Sequence, residues 1–315
     1  MWVSSFQNSL KTTISRSIST LAPFAGQAER LATTSPQNCQ CHFLQAPQSE
    51  ESIAQPQNDL AASFALALEQ GEFKVHYQPQ FDLETGQLTG AEALVRWLHP
   101  TQGMIAPGRF IAIAEETGFI IHLGEWVLRQ ACQQMKQWQQ QTGSPLKIAV
   151  NLSARQLESH NLCTRIAQIL SETGLSASSL ELELTESSLI QDDDVAFSIM
   201  GHLKAMGLRL ALDDFGTGYS SLKHLQRRIF DTIKIDRSFI SNVNLNSVNA
   251  AITAAAIDLA HKLSSTVVGE GVETIAEQNF LLEHQCDLIQ GYLTGYPVDG
   301  PNFLATHQGD LKFAQ

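Results

Sequence analysis

The stretch LELELTES, residues 180 to 187, is a short apolar run that ends in acidic residues, and RLALDDFG follows it at residues 209 to 216. Six similar runs lie at Phe73–Phe81, Gly90–Trp97, Leu146–Ser153, Asp231–Ser238, Ser265–Val272 and Leu288–Gly295. All but the first carry polar residues that an apolar strand would not need: Glu92, Asn151, Glu183, Asp213 with Asp214, Lys234, Glu270 and Gln290. This order predicts eight strands with functional side chains along one rim.

The gaps between these runs indicate how the strands connect. Only Asp82 to Thr89 separate the first two runs, which is too short for a crossover helix, so we expect the first strand to be antiparallel to the second. Each later gap has the length of a helix, as in Trp126–Gln141, where apolar residues recur on one stripe. The pattern predicts an α/β fold, a TIM-like (β/α)8 barrel with an antiparallel first strand. An open doubly wound sheet stays the alternative.

The N-terminal part of the chain is predicted to lie outside the barrel. Residues 1–57 are rich in Ser, Thr, Gln and Pro and show no sustained apolar period, so we expect a largely disordered leader or linker. Asn58 is a candidate N-cap for a helix through Glu69 that Gly71 would close. We therefore expect the barrel domain over residues 58–308 and a short C-terminal tail over 309–315.

The composition of the chain argues against some classes of binding partner. The 315-residue chain has 20 Lys and Arg against 32 Asp and Glu, a formal charge of −12, which argues against binding to nucleic-acid polymers or anionic membranes. No apolar run approaches the roughly 18 residues that a membrane span needs. The five cysteines are not spaced as a disulfide framework, so we expect a cytoplasmic protein. Cys39, Cys41 and His42 have no matching second cluster, and we expect a tail there rather than a zinc site.

The acidic strand-end residues indicate a metal site. A closed barrel would bring five carboxylates to one mouth: Glu92, Glu183, Asp213, Asp214 and Glu270. Such a group repels itself unless cations are present. Two divalent ions, together with Lys234 and Arg96, would balance the charge and allow a phosphate to bind. Oxygen ligands with the amide of Asn151, and without Cys or His, suit Mg²⁺ or Mn²⁺ rather than Zn²⁺.

Taken singly, most of these residues have ordinary structural explanations. Lys234 could protect an edge strand, and Glu270 could be a favourable charge at a helix N-terminus. Residues 214–216 mimic the metal motif of protein kinases, but the glycine-rich loop and catalytic-loop signature of a kinase are missing. The order of the residues, on successive strands, favours one shared site.

The motifs taken in series resemble the EAL-domain family of cyclic di-GMP phosphodiesterases. They are YQP (77–79), GAEALVRW (90–97), NLS (151–153), ELTE (183–186), DDFGTGYSSL (213–222), KIDR (234–237), EGVET (270–274) and QGY (290–292). The resemblance covers about residues 59–305. It implies two-metal hydrolysis of cyclic di-GMP to linear pGpG in bacterial second-messenger signalling, on a barrel whose first strand is antiparallel. It also suggests a homodimer.

The resemblance implies a role for each matching residue. One metal ion would be held by Glu92, Asn151, Glu183 and Asp213, and a second by Asp213, Asp214 and Glu270. Catalytic support would come from Lys234, which would orient the attacking water, from Gln290, and from Glu186 as the anchor of the loop Asp213–Ser221. The dinucleotide would be contacted by Gln78, Arg96, Asp236, Glu273 and Tyr292.

The sequence departs from the family pattern in three places. Gly269 stands where alanine is usual, Ile229 replaces a common proline, and Gly295-Tyr296 replace a small residue followed by arginine. None removes an implied metal ligand, but Gly269 could loosen the strand that carries Glu270, and Tyr296 could alter the rim. Two other functions stay open: a catalytically silent cyclic di-GMP receptor or interaction scaffold, and another metal phosphoesterase on a barrel.

Overall fold

A computed structural model of the protein describes residues 50–189, 193–217 and 225–307. Most of the predicted leader, including Cys39, Cys41 and His42, lies outside these residues. So do residues 218–224, which include the end of the predicted loop Asp213–Ser221, and residues 308–315, which include the predicted tail.

Ten strands form a single sheet that closes on itself. In chain order they are β1 (Phe73–Asp82), β2 (Leu88–His99), β3 (Gly103–Ile105), β4 (Lys147–Asn151), β5 (Leu180–Thr185), β6 (Arg209–Phe215), β7 (Thr232–Ile235), β8 (Thr266–Glu270), β9 (Leu288–Gln290) and β10 (Val298–Asp299). All but β3 and β10 make up the barrel wall, which closes through the pairing of β1 with β2.

Strand directions agree with the sequence-based expectation. Strand β1 is antiparallel to both of its barrel neighbours, β2 and β9. Every other neighbouring pair in the barrel wall is parallel. The closed order confirms the (β/α)8 barrel with an antiparallel first strand and rules out the open sheet. The short strands β3 and β10, which the sequence did not predict, add to β2 and β1 at the outside of the barrel.

Helices follow most barrel strands and cover the outer face. They are α1 (Glu50–Glu69), α2 (Pro107–Thr117), α3 (Ile120–Thr142), α4 (Ala154–Leu157), α5 (Leu162–Thr173), α6 (Asp193–Ala205), α7 (Arg237–Ile240), α8 (Ser247–Lys262), α9 (Ile275–Glu283) and α10 (Gly300–His307). The apolar stripe predicted within Trp126–Gln141 is buried in α3. Its Trp138 packs edge-on against Tyr77 of β1, with ring centroids 4.9 Å apart, and stacks on Phe303 of α10 at 4.2 Å. No helix among the described residues is long and apolar enough to cross a membrane.

The predicted start of the first helix is wrong. Helix α1 begins at Glu50, so Asn58 lies inside it rather than at its N-cap. Asparagine is favoured at caps but is tolerated within helices at modest cost, so one candidate cap cannot fix a boundary. From Leu60 onward, where its side chains are described, the helix buries Leu60, Phe64 and Ala67. Its end at Gly71, which has φ 69°, agrees with the prediction.

Candidate active site

The strand register brings the predicted residues together at the carboxyl ends of the parallel strands. Asn151 on β4 lies opposite Glu183 on β5, and Glu270 on β8 lies opposite Gln290 on β9. Across the antiparallel pair, Gln78 lies opposite Glu92. Because residues in register on adjacent strands are close neighbours, the barrel places one acidic group beside an amide at each of these three positions.

Lys234 on β7 lies at the centre of the acidic group. Its ammonium nitrogen Nζ is 2.7 Å from Glu270 Oε1, 2.9 Å from Glu183 Oε2, 3.2 Å from Asp213 Oδ1 and 3.6 Å from Glu92 Oε2. The lysine side chain is 1% exposed. Four carboxylates on four different strands therefore converge on one cation, as the sequence predicted for the acidic residues.

The pKa values in this group reflect the competition between burial and charge. Burial alone would lower the pKa of Lys234, but the surrounding carboxylates, Asp213 foremost, raise it well above its ordinary value. Burial alone would raise the pKa of Glu92. The charge of Lys234 and the hydrogen bonds from Gln290 and Asn151 outweigh burial, so the pKa of Glu92 is lowered. Lys234 and the two amides therefore stabilise the ionised form of Glu92.

For Glu183 and Glu270, burial outweighs the charge of Lys234, so the pKa values of both carboxyl groups are raised. Burial, reinforced by the charge of Glu92, raises the pKa of Glu183 well above its usual value. Burial likewise raises the pKa of Glu270, to about 8, although Lys234 opposes the shift. Neither carboxylate oxygen of Glu183 accepts a hydrogen bond from any described residue. The ammonium of Lys234, 2.9 Å from Glu183 Oε2, offsets only part of the cost of burying this carboxylate, and a further bound cation would relieve more of it.

The backbone at Asp214 explains how two consecutive aspartates reach one place. Successive side chains of a regular strand point to opposite faces. Asp214 has φ 54°, in the left-handed region, and the pairing of β6 with β7 shifts register between Leu212 and Phe215. As a result, Asp213, Asp214 and Glu270 each offer an oxygen, and these oxygens lie within 4.8 Å of one another. Three carboxylates this close could hold a metal ion.

A chain of amide groups fixes Glu92. Asn151 Nδ2 donates to Glu92 Oε1 at 2.6 Å, and Gln290 Nε2 donates to Glu92 Oε2 at 2.6 Å. Gln80 Nε2 in turn donates to Gln290 Oε1 at 2.9 Å, which fixes the orientation of the Gln290 amide. Gln290 Nε2 also lies 3.2 Å from Gln78 Oε1, which accepts from it. These contacts hold the Gln290 amide against Glu92, and its predicted positioning role stays a prediction.

One cavity borders the acidic group, and a second is lined by two other predicted site residues. One, of about 220 Å³, is lined by Glu92, Glu270 and Gln290 together with three predicted substrate contacts: Gln78, Glu273 and Tyr292. The other, of about 330 Å³, is mainly apolar and includes Arg96 and Asn151 in its lining. Burial lowers the pKa of Arg96, and the nearby Glu92 and Tyr292 oppose that shift. The smaller cavity thus has six predicted site residues in its lining, and two of them, Glu92 and Glu270, belong to the acidic group.

Two predicted residues stand apart from these cavities. Asp236 caps α7, where its Oδ1 accepts a hydrogen bond from the backbone nitrogen of Ser238 at 3.0 Å, and it lines neither cavity. Its charge is close enough to contribute to the raised pKa of Asp214, which burial and Asp213 mainly cause. Glu186 is 2% exposed. Its predicted role concerns the loop Asp213–Ser221, of which residues 218–221 lie outside the described residues.

The sequence did not single out several residues that support the site. Gln80 orients Gln290, and Arg237 lines the smaller cavity and pairs with Glu273 at 2.8 Å. Glu277 caps α9 and accepts from the backbone nitrogens of Glu273 and Thr274 at 2.9 and 3.0 Å, which holds the segment after β8. The sequence signal for Glu277 was present, since Thr274 and Glu277 have the spacing of a capping box. Gln80 carried no such signal.

The fold and site together define a β/α barrel with an acidic mouth at the carboxyl ends of its strands. The family described as "EAL domain" matches residues 61–297, and the chain therefore belongs to the EAL domain family.

Individual relatives agree with this family. An uncharacterized signaling protein of Caulobacter vibrioides is 46% identical over 249 residues, which is 79% of this chain and 30% of that protein. The bifunctional diguanylate cyclase/cyclic di-GMP phosphodiesterase MucR of Pseudomonas aeruginosa is 43% identical over 253 residues, 80% of this chain and 37% of its own length. The chain thus spans about a third of the length of these curated relatives.

A solved structure gives a similar result. The structure described as "PaMucR Phosphodiesterase, c-di-GMP complex" superposes with a TM-score of 0.75 and 42% sequence identity, and the match covers 78% of this chain and 100% of that one.

Proposed function

We propose that this chain is a metal-dependent phosphodiesterase that hydrolyses cyclic di-GMP to linear pGpG in bacterial second-messenger signalling. The observation that carries the proposal is the convergence of Glu92, Glu183, Asp213 and Glu270 on Lys234. The similarity to a phosphodiesterase structure in complex with c-di-GMP supports the choice of substrate.

The acidic mouth has the properties of a site for divalent cations. The oxygens of Glu183 accept no hydrogen bond from the described residues, and those of Asp213, Asp214 and Glu270 lie within 4.8 Å of one another. The donors are carboxylates and one amide oxygen, which suit Mg²⁺ or Mn²⁺. We assign one ion to Glu92, Asn151, Glu183 and Asp213, and a second to Asp213, Asp214 and Glu270. Such ions, when bound, polarise a phosphoryl oxygen and lower the pKa of a bound water.

The residues of the chain would contribute by positioning and by charge. Lys234 Nζ carries a fixed positive charge at the mouth, where negative charge grows on the phosphoryl oxygens in the transition state. Asn151 and Gln290 hold the two oxygens of Glu92 at 2.6 Å each, so this ligand is oriented in advance. Arg96, at the larger cavity, would bind a phosphate of the dinucleotide through its planar guanidinium group.

Substrate contacts are assigned to the cavity lining. Gln78, Glu273 and Tyr292 line the space next to Glu92 and Glu270, and we propose that they contact the dinucleotide. Asp236 is proposed to act at a greater distance, through its cap on α7 and its charge near Asp214. Glu186 is proposed to anchor the loop that follows Asp213.

The test is chromatographic detection of pGpG after incubation of the purified protein with cyclic di-GMP and Mg²⁺ or Mn²⁺. A Glu92→Ala variant is the control, and its circular dichroism should match that of the wild type. Product that depends on both the metal and Glu92 supports the proposal. Bound substrate without product would instead identify a receptor. Equal turnover of unrelated linear phosphodiesters would indicate a different metal phosphoesterase.

The proposal also covers the oligomeric state of the protein and its cellular compartment. We propose a homodimer, which light scattering of the purified protein would test. We also propose that the protein acts in the cytoplasm, since Cys132, Cys163 and Cys286 are free thiols in the described part of the chain.

A further inference from the structure

Two tyrosines stack on each other at the rim of the smaller cavity. The ring centroids of Tyr292 and Tyr296 lie 4.4 Å apart, with 27° between the ring planes. Both side chains remain accessible to solvent, with 49% and 63% of their residue surface exposed. Because each ring covers only one face of the other, their outer faces are available to a flat ligand.

The position of the pair connects it to the acidic site. Tyr292 lines the cavity of about 220 Å³ that also contains Glu92 and Glu270. It is also close enough to Arg96 for its phenol to act on the pKa of that residue, although burial dominates the shift. A ligand with its phosphate between Arg96 and the carboxylates would therefore have its base within reach of Tyr292.

The backbone holds Tyr296 in place from both sides. Before it, the turn from Gly291 to Gly295 is closed by a hydrogen bond from Gly295 N to Gly291 O at 3.0 Å, and Gln78 Nε2 donates to Gly295 O at 3.2 Å. A side chain at Gly295 would collide with Pro79 and His307, because an added Cβ would lie 2.8 Å from Pro79 Cγ and 2.5 Å from His307 Cε1. The loop is thus packed tightly against β1.

After Tyr296 the chain is equally restrained. Pro297 limits the backbone of Tyr296 to extended conformations. Val298 then pairs with Tyr77 in the antiparallel ladder between β10 and β1. Because both flanks are fixed, the backbone of Tyr296 is ordered before any ligand binds, which lowers the ordering cost when a base stacks on the pair.

From this geometry we propose that Tyr292 and Tyr296 form a stacking platform for a purine base of the dinucleotide, with Tyr296 as a specificity residue that backs Tyr292. This inference rests on the proposed function and deepens it. Stacking suits this rim because the acidic protein offers the base little electrostatic attraction, whereas an aromatic face binds any large π-system. A purine covers more of the ring than a pyrimidine, so the platform favours purine dinucleotides.

The test compares cyclic di-GMP with cyclic di-UMP in the wild type, Tyr296→Ala and Tyr296→Phe. In Tyr296→Ala, the KM for cyclic di-GMP should rise about tenfold, while kcat and the melting temperature stay close to those of the wild type. The KM for cyclic di-UMP should change much less, so the purine preference falls. Tyr296→Phe keeps the ring and should behave as the wild type. His284→Ala is the matched control, because it removes a stack with Phe280 at 4.2 Å that lies away from the mouth.

An unchanged preference for the purine dinucleotide in Tyr296→Ala would overturn the proposal. A loss of this preference in Tyr296→Phe as large as that in Tyr296→Ala would also overturn it. If the wild type binds cyclic di-GMP without hydrolysing it, the proposed activity fails but the platform does not. The same comparison is then made with dissociation constants from calorimetry. A wild type that binds neither dinucleotide overturns both proposals.

Discussion

The ammonium nitrogen of Lys234 lies 2.9 Å from Oε2 of Glu183, and the two side chains are 1% and 0% exposed. The approach is that of an ion pair, because Glu183 accepts no hydrogen bond with suitable geometry from any described residue. Lys234 makes similar approaches to Glu92, Asp213 and Glu270. Without metal ions, this lysine is the main positive charge that lets the carboxylates share one buried mouth.

We expect Lys234→Met to destabilise the metal-free protein. Methionine keeps most of the volume but leaves the carboxylates without their counter-ion, and removal of one partner of a buried pair costs about 3–5 kcal/mol. Mn²⁺ should restore much of this loss, because the ion supplies the missing charge. Urea unfolding with a chelator and with Mn²⁺ measures both effects.

Lys204→Met is the control for that experiment. Lys204 pairs with Asp231 at 2.5 Å, outside the acidic mouth, and is partly exposed. Its replacement should cost less, and Mn²⁺ should not reverse the loss. A Lys234→Met protein as stable as the wild type in chelator would contradict the role of Lys234 as counter-ion.

Two substitutions at Asp214 can separate the effect of its carboxylate charge from the effect of its backbone conformation. Its φ of 54° lies in the region that asparagine and aspartate tolerate better than other residues. Asp214→Asn should therefore keep the stability of the metal-free protein and lower its affinity for Mn²⁺. Asp214→Ala should also lose about 1 kcal/mol of stability. Equal stabilities of the two variants in urea unfolding would argue against backbone strain at this position.

The sequence predicted the barrel well because its strands are short apolar runs with polar ends. Each of the eight predicted runs overlaps a strand of the barrel, and the stripe on α3 is buried as expected. The alternation of side chains along a strand, however, would have separated Asp213 from Asp214. Only the left-handed backbone at Asp214 brings them together, and no single-residue pattern predicts it.

Three other features were not predicted from the sequence: the role of Gln80, the start of α1 and strand β10. Gln80 gained a role because β1 and β9 are neighbours, which brings it within 2.9 Å of Gln290. The helix boundary at Glu50 was missed because capping preferences are weak beside the rest of the helix signal. Strand β10 has two residues, too few for a periodic pattern.

The side chain of Leu281 occupies the space beside Gly269 that a larger residue would need. An added Cβ at this position would lie 2.7 Å from Leu281 Cδ1, and Leu281 is fully buried. The expected alanine would therefore overpack this site, and Gly269→Ala should cost about 1–3 kcal/mol. The double variant with Leu281→Val should recover part of the loss. Chemical unfolding of both variants measures the coupling, and strictly additive losses would show that Leu281 is not the obstacle.

Glu186→Ala tests the proposed loop anchor. Glu186 is buried and follows Glu183 by three residues, but it is not one of the proposed metal ligands. We expect lower Mn²⁺ affinity and lower turnover of cyclic di-GMP, with the circular dichroism of the wild type. Titration with Mn²⁺ followed by calorimetry gives the affinity. A metal affinity equal to that of the wild type would count against the anchor role.

His307 should make stability depend on pH. Its Nε2 is buried without a hydrogen-bond partner among the described residues, and the ring packs against Phe81 and Phe303. Burial lowers the pKa of His307 below the usual 6.5 for histidine. The folded protein therefore binds this proton less tightly than the unfolded chain does. The stability from the neutral ring is complete above pH 6.5 and is lost as pH falls through the lower pKa of the folded state.

His307→Gln removes the titrating group, so the two proteins should respond differently to acid. Below pH 6.5 the wild type should lose stability relative to the variant by at most about 1.4 kcal/mol per pH unit. Above that pH the difference should be constant. Urea unfolding from pH 5.5 to 8 gives the two profiles, and His160→Gln, at an exposed position, should run parallel to the wild type. If the His307→Gln profile also ran parallel to that of the wild type, the buried neutral histidine would not contribute to the acid sensitivity of the barrel.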